Sequence, residues 1–339
     1  MNRFLVGFCL GMTLSACEVG ITNSPEKIQD DTSEIESEAT PEAEEGEPAE
    51  DETGVEDTSE DDVEEIEEET EDPLADFSQS GPFSVTVNDR TASVTDCSSM
   101  SYRVYTPSTS DPPVVVLGHG FARGSDVMVG WAEHLTSWGA EVLLPTLCHY
   151  NVFFGVDHEM NGQNMRELVA LHGATNVVYA GHSAGGLAAI IAASQDPLAS
   201  GVLGLDATDT DGVPGVPDLI GTGYAGSVTV PAFSIMGEPS SCNAENNGLS
   251  LFRMMSDYTA VKVASADHCD FESPTDMVCA MSCENSAVTF EDSQIRPVIT
   301  TLGTAAIVSL TGLSPDGSLW WTEEGLDTWI QSGLIQELE

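Results

Sequence analysis

Gly181-His182-Ser183-Ala184-Gly185-Gly186 is the stretch whose reading decides the fold. The apolar run Val177-Val178-Tyr179-Ala180 precedes it and the small-residue stretch from Leu187 to Ala193 follows it, so a short buried strand turns directly into a helix. A serine at such a turn is held in a strained backbone conformation, and glycines two residues to either side let strand and helix approach without a Cβ clash. Ser183 is therefore expected at the carboxyl end of a parallel sheet, with its hydroxyl within reach of a base. The N–H of Ala184, first in the helix, points to where an oxyanion would form.

Toward the N-terminus, Pro112-Pro113 introduces Val114-Val115-Val116-Leu117, the unbroken apolar run of a strand covered on both faces. It ends in the glycine-rich loop Gly118-His119-Gly120-Phe121-Ala122-Arg123-Gly124, at the sheet end where open α/β folds place their chemistry. The N–H of Phe121 is the candidate for a second oxyanion donor. Earlier still, Phe83 to Val87 alternates at period two and Ser101 to Tyr105 continues the β character, which predicts antiparallel edge strands. Between loop and elbow, Val127 to Trp138 reads as a helix closed by Gly139, and Glu141 to Pro145 reads as a strand. Gln163 to His172 reads as an amphipathic helix, with His172 a structural histidine at its end. The loop from Thr146 to Asn161 borders a cleft, and Phe121, His182, Phe153 and Phe154 are expected to line an apolar acyl site there.

Toward the C-terminus, Val202-Leu203-Gly204-Leu205 is another buried strand, closed by Asp206. An acid at that tip is placed to orient a histidine and stabilise its imidazolium form. Asp209 and Asp211 follow in a loop that lacks the regular spacing of a calcium site, so a solvated turn is expected. The strand from Val230 to Gly237 leads to Glu238, the alternative acid, and Tyr258 to Ala264 supplies one more strand before His268. Of seven histidines, His119 and His182 are built into the two loops and the other four occur too early. His268 is the base by elimination and by the chain order serine, acid, histidine. Gln294 to Leu310 reads as a closing helix, and Trp320, Trp321 and Trp329 are expected to pack the C-terminus onto the core.

Composition divides the 339 residues unevenly, and three regions are drawn: 1–16, 17–78 and 79–339. Residues 1–16 read as a signal peptide too short to span a bilayer, and Leu14-Ser15-Ala16-Cys17 resembles the lipobox of bacterial lipoproteins. That resemblance implies an exported protein anchored through a lipid on Cys17, facing the periplasm or the cell surface, with the membrane as a partner. From Glu18 to about Ser80 acids dominate and Lys27 is the only basic residue, the composition of a disordered, self-repelling linker. Fully extended, ~60 such residues reach at most ~200 Å. The net charge of −48, with only Lys262 and six arginines after residue 80, makes nucleic acid an improbable partner. A monomer is expected.

Beyond Cys9 and Cys17, Cys97, Cys148, Cys242, Cys269, Cys279 and Cys283 form an even set. In an exported domain such a set favours disulfides, in any of fifteen connectivities. Cys279 and Cys283 lie one helical turn apart but lack the C-x-x-C pair or spaced histidines of a zinc site, and no metal is expected.

These motifs together resemble the α/β-hydrolase superfamily from about Phe83 to Leu338. The nearest likeness is to the branch of chlorophyllases, platelet-activating-factor acetylhydrolases and cutinase-like polyester hydrolases. It is carried by Leu117-Gly118-His119-Gly120-Phe121, Leu135-Thr136-Ser137-Trp138-Gly139, the elbow, and Gly204-Leu205-Asp206. The first two branches take their acid after the strand that follows the elbow helix, which implies Asp206. Polyester hydrolases take it one strand later, where this chain has no aspartate. The expected architecture is an α/β-hydrolase fold, a mostly parallel central sheet flanked by helices. The expected activity is carboxylic-ester hydrolysis by Ser183, His268 and Asp206, with Phe121 and Ala184 as the oxyanion hole and no cofactor. Polyester hydrolysis, a peptidase or acyltransferase on the same scaffold, and a surface-binding lipoprotein that keeps the fold without the activity are the alternatives.

Overall fold

A strand covered by helices on both faces has no polar side to show water, which is why the central runs of this chain are apolar without alternation. A computed structural model of the chain describes residues 74–151, 155–212, 216–283 and 289–339. Cys17, the signal and nearly all of the acidic segment lie outside the described residues, as do Phe153 and Phe154.

In chain order the principal elements are β1 (Val85–Val94), β2 (Cys97–Pro107), β3 (Val114–Gly118), α1 (Val129–Ser137), β4 (Glu141–Pro145), α2 (His158–His172), β5 (Val177–His182), α3 (Ala184–Gln195), β6 (Ala199–Leu205), β7 (Ala232–Met236), β8 (Tyr258–Val263), α4 (Met277–Cys283), α5 (Asp292–Thr311), α6 (Glu323–Ser332) and β9 (Ile335–Glu337). The nine strands form one sheet in the order β1-β2-β4-β3-β5-β6-β7-β8-β9. From β4 to β8 every neighbour is parallel. The β1–β2 hairpin and β9 flank this block in antiparallel pairing. The class is α/β.

Strand residues one apart point into different layers. Val115, Leu117, Val178 and Ala180 join α1 and α5 on one face. Val114, Val116, Val177 and Tyr179 join α2 and α3 on the other. Each buried valine or leucine removed from water in this way contributes about 1.5–3 kcal/mol. Among the described residues no helix is long and apolar enough to cross a membrane.

Three regions depart furthest from the sequence expectation. α2 starts at His158, not Gln163, because Asp157 caps it by accepting from the Met160 N–H at 2.9 Å. The buried face of its first turns carries His158, Asn161, Gly162 and Asn164, which hydrophobic periodicity does not register as core. The packed chain also reaches back past residue 79. Phe77 is fully buried beside Trp138, the Ala75 N–H donates to Asp316, and the Trp320 indole donates to the Ala75 carbonyl. Finally, the loop after β6 is not the solvated turn expected, since Asp209 and Thr210 are buried in it.

Disulfides join Cys97 to Cys148, Cys242 to Cys283 and Cys269 to Cys279. The sulfurs of Cys269, Cys279 and Cys283 lie within 4.8 Å of one another, but each is committed to a disulfide rather than offered to a metal as a thiolate.

Candidate active site

The turn between β5 and α3 places Ser183 at φ 55°, ψ −126°, a backbone conformation that L residues rarely adopt. Backbone bonds over-determine it. The Ser183 N–H donates to Leu205 at the tip of β6, and its carbonyl accepts from Gly186, Leu187 and Thr208. The glycines are required by close approach. A Cβ on Gly181 would sit 2.3 Å from the Gly185 carbonyl, and one on Gly185 would sit 2.5 Å from the Gly118 carbonyl. Serine is a favoured helix cap, yet the Ser183 side chain makes no capping bond to α3. Its hydroxyl is left for chemistry.

Asp206 follows β6 with φ 45° and is fully buried. Its Oδ2 accepts from His268 Nδ1 at 2.6 Å and from Asn243 Nδ2 at 3.1 Å, while its Oδ1 accepts from the Gly237 N–H at 3.0 Å. Because a carboxylate only accepts, His268 donates its Nδ1–H to it, and in the neutral ring that leaves Nε2 as the acceptor, the tautomer a general base needs. Glu238, the alternative acid, instead binds Lys262 at 2.9 Å and accepts from the Ser265 N–H. Among the described residues no hydrogen bond joins Ser183 Oγ to His268, although both line one cleft. Unliganded sites often close that contact only with substrate present.

His182 is buried beside His268. Its Nε2–H donates to the His268 carbonyl at 2.9 Å and the two rings lie 4.5 Å apart. Burial, with His268 beside it, holds its pKa well below the ordinary histidine value, so the ring is neutral and supports the His268 backbone. His119 does the same for the glycine-rich loop after β3. Its Nδ1–H donates to the Gly120 carbonyl, its Nε2 accepts from the Leu147 N–H, and burial lowers its pKa to about 4. Phe121 follows on this loop, and Ala184 opens α3, whose first amides have no carbonyl a turn earlier to bond.

Two contributors were not legible in advance. Asn243 is fully buried and bridges Asp206 to the Glu238 carbonyl, with its Oδ1 accepting from Ser240 and Asn246. Arg123 grips Glu272 with two bonds of 2.7 Å and reaches Asp276 at 2.9 Å, tying the glycine-rich loop after β3 to the segment after His268. The only local signal for either was position: Asn243 lies in the loop searched for an acid, and Arg123 lies two residues past Phe121.

The cleft has two halves that share Phe121, Ser183, Ser241 and Cys242. The larger, about 340 Å³, is bounded by His268 and by Val278, Cys279 and Cys283 of α4. The smaller, about 180 Å³, is bounded by His158, Thr208 and Asp209. The structure thus brings Ser183, Ala184, Phe121, His182, Asp206 and His268 together and sets Glu238 apart in an ion pair. No family model and no curated protein matches this chain.

Proposed function

We propose that the chain is a serine hydrolase of carboxylic esters with an α/β-hydrolase fold, anchored to a bacterial membrane through lipidated Cys17. The observation that carries the reading is the strained, uncapped Ser183 opening onto the cleft that His268 lines while bonded at 2.6 Å to buried Asp206.

In this reading Ser183 Oγ attacks the ester carbonyl as its proton passes to His268 Nε2. Asp206 holds the ring and stabilises the imidazolium, and Asn243 and the Gly237 N–H keep that carboxylate in place. The tetrahedral oxyanion is held by the N–H groups of Ala184 and Phe121, each donor worth roughly 3 kcal/mol of barrier. His268 returns its proton to the alcohol oxygen, the C–O bond breaks, and an acyl-serine remains. Water, deprotonated by His268, then releases the acid and restores Ser183. The resemblance to the chlorophyllase and acetylhydrolase branches, which place their acid where Asp206 stands, supports the same assignment.

The test is covalent and kinetic. A fluorophosphonate should label Ser183, and p-nitrophenyl esters should turn over in the intact protein but fall by about 10⁴-fold or more in Ser183→Ala. A folded protein that neither takes the label nor hydrolyses any ester ends this reading in favour of a binding protein.

A further inference from the structure

His268 opens a one-turn helix, His268–Phe271, too short to fix a side chain by its own backbone bonds. Two aspartates bracket it. Asp267 caps the turn, its Oδ1 accepting from the Cys269 N–H at 2.7 Å and from the Asp270 N–H at 3.2 Å. Asp270 answers, its Oδ2 accepting from the Asp267 N–H at 2.8 Å. These reciprocal bonds form a capping box, and the residues enclosed between its two carboxylates are His268 and Cys269.

Asp270 does more than cap. Its Oδ1 meets the Arg296 guanidinium at 3.1 Å, and Arg296 also reaches Asp292, one turn earlier on α5, at 3.5 Å. α5 is 20 residues long and packs Ile295, Val298, Ile299 and Leu302 into the core. The turn that carries His268 is thus fastened to a rigid helix through one carboxylate. That residue is 7% exposed, and burial pushes its pKa up to about 6 although the Asp267 N–H bond pulls the other way. An uncharged side chain could accept the same N–H without that desolvation, so capping alone does not account for a carboxylate here. What the charge adds is the tie to Arg296. The Asp206 bond fixes the imidazole at Nδ1 and the His182 bond fixes the His268 carbonyl, but both act at or beyond the His268 side chain. The Asp270 bond to the Asp267 N–H holds the backbone ahead of it.

We infer that Asp270 is a positioning residue for His268: by bridging the Asp267 amide and Arg296 it sets the backbone from which the imidazole meets Asp206 and faces the cleft of Ser183. The kinetic consequence rests on the esterase reading and deepens it; the geometric consequence concerns the bond between His268 and Asp206 alone. A reacting group displaced by about 1 Å costs on the order of 10²-fold in rate, with little change in how substrate is held.

The experiment takes the full chain and Asp270→Ala through two measurements. The first is ester kinetics, with the folded, competent fraction counted by fluorophosphonate titration of Ser183. In Asp270→Ala kcat should fall by about 10²-fold while KM stays within about twofold. The second is the proton resonance of the His268 Nδ1–H, which a short bond to a carboxylate moves far downfield of the amides; its absence in Asp206→Asn assigns it. In Asp270→Ala it should broaden or vanish into solvent exchange at the same temperature and pH. Arg296→Ala removes the tie from the α5 side and should lower kcat by about tenfold with the resonance broadened in the same way. A purely structural role would lower the urea midpoint of Asp270→Ala and leave both readouts of its folded fraction unmoved, and either readout unmoved overturns the inference. Should Asp270→Ala fail to fold, Arg296→Ala decides by the same two readouts. If the unaltered protein hydrolyses no ester and takes no label, the esterase reading falls, and the resonance by itself sustains or overturns the positioning of His268 by Asp270.

Discussion

The two walls of the cleft are held in place by different physics. On one side Ser183 and Asp206 sit at the tips of neighbouring parallel strands, fixed by backbone bonds to Leu205 and Ile235 and by glycines that admit no side chain. On the other, residues 268–283 contain a one-turn helix and the short α4, with Met277, Val278 and Met281 65–82% exposed. That wall is held by two disulfides and by the ion pair of Arg123 with Glu272. Ser183 and Asp206 inherit the stability of the core. His268 depends on cross-links made late in the chain.

The largest effect should come from severing the carboxylate contact to His268. Asp206→Asn is expected to lower kcat by about 10⁴-fold with the fold retained, as the wrong tautomer of His268 is then favoured. Equal activity in that variant would detach the acid from the mechanism. Next is Glu272→Gln, which leaves Arg123 half-paired in a buried place. A loss of stability near 3 kcal/mol is expected, with kcat falling more than KM rises as the oxyanion loop loosens, read from urea titrations and ester kinetics.

Reduction should separate the walls cleanly. Cleaving the disulfides Cys242–Cys283 and Cys269–Cys279 is expected to remove about 2–4 kcal/mol and abolish turnover while far-ultraviolet dichroism still reports the sheet. Activity that survives full reduction would mean the lip needs no staples.

Acid acts on the sheet side more gently. His119 and His158 have native pKa values lowered to about 4 from 6.5, so the unfolded chain binds protons that the native chain refuses. Stability is therefore complete above pH 6.5 and declines as pH falls toward 4. Asp270, raised by burial to about 6 from 3.8, and Asp209, also raised by burial, work in the opposite sense over part of that window, but burial lowers His134 and His182 as well, so the histidines outnumber the acids. The urea midpoint measured from pH 7 to 4 should fall. The smallest effect belongs to Glu238→Gln, a partly exposed pair with Lys262 worth about 0–1 kcal/mol, which should leave ester kinetics within twofold.

The same contrast explains what could be read from sequence. β4 matches its expected range of Glu141 to Pro145, and β5 and β6 were found within a few residues, because burial on both faces writes itself into consecutive apolar positions. The elbow was legible because glycine is the only residue that fits its close approaches. β9, three residues long, carries too little pattern to register. Asn243 reaches Asp206 across 37 positions and Arg123 reaches Glu272 across 149, and no local periodicity encodes such a pairing. The choice of one disulfide connectivity is lost to sequence for the same reason.

The clamp at Ala75 and Phe77 has a mechanical consequence. A pull on the chain ahead of residue 74 is borne first by the Ala75 bonds to Asp316 and Trp320, then by the Phe77 ring and its carbonyl's bond to His134. These contacts run to α1 and to the segment between α5 and α6, not to β5 or β6, so tension loads helices on one layer before any strand that carries the serine or the acid. A protein tethered at that end could sway under shear with its cleft geometry unstressed.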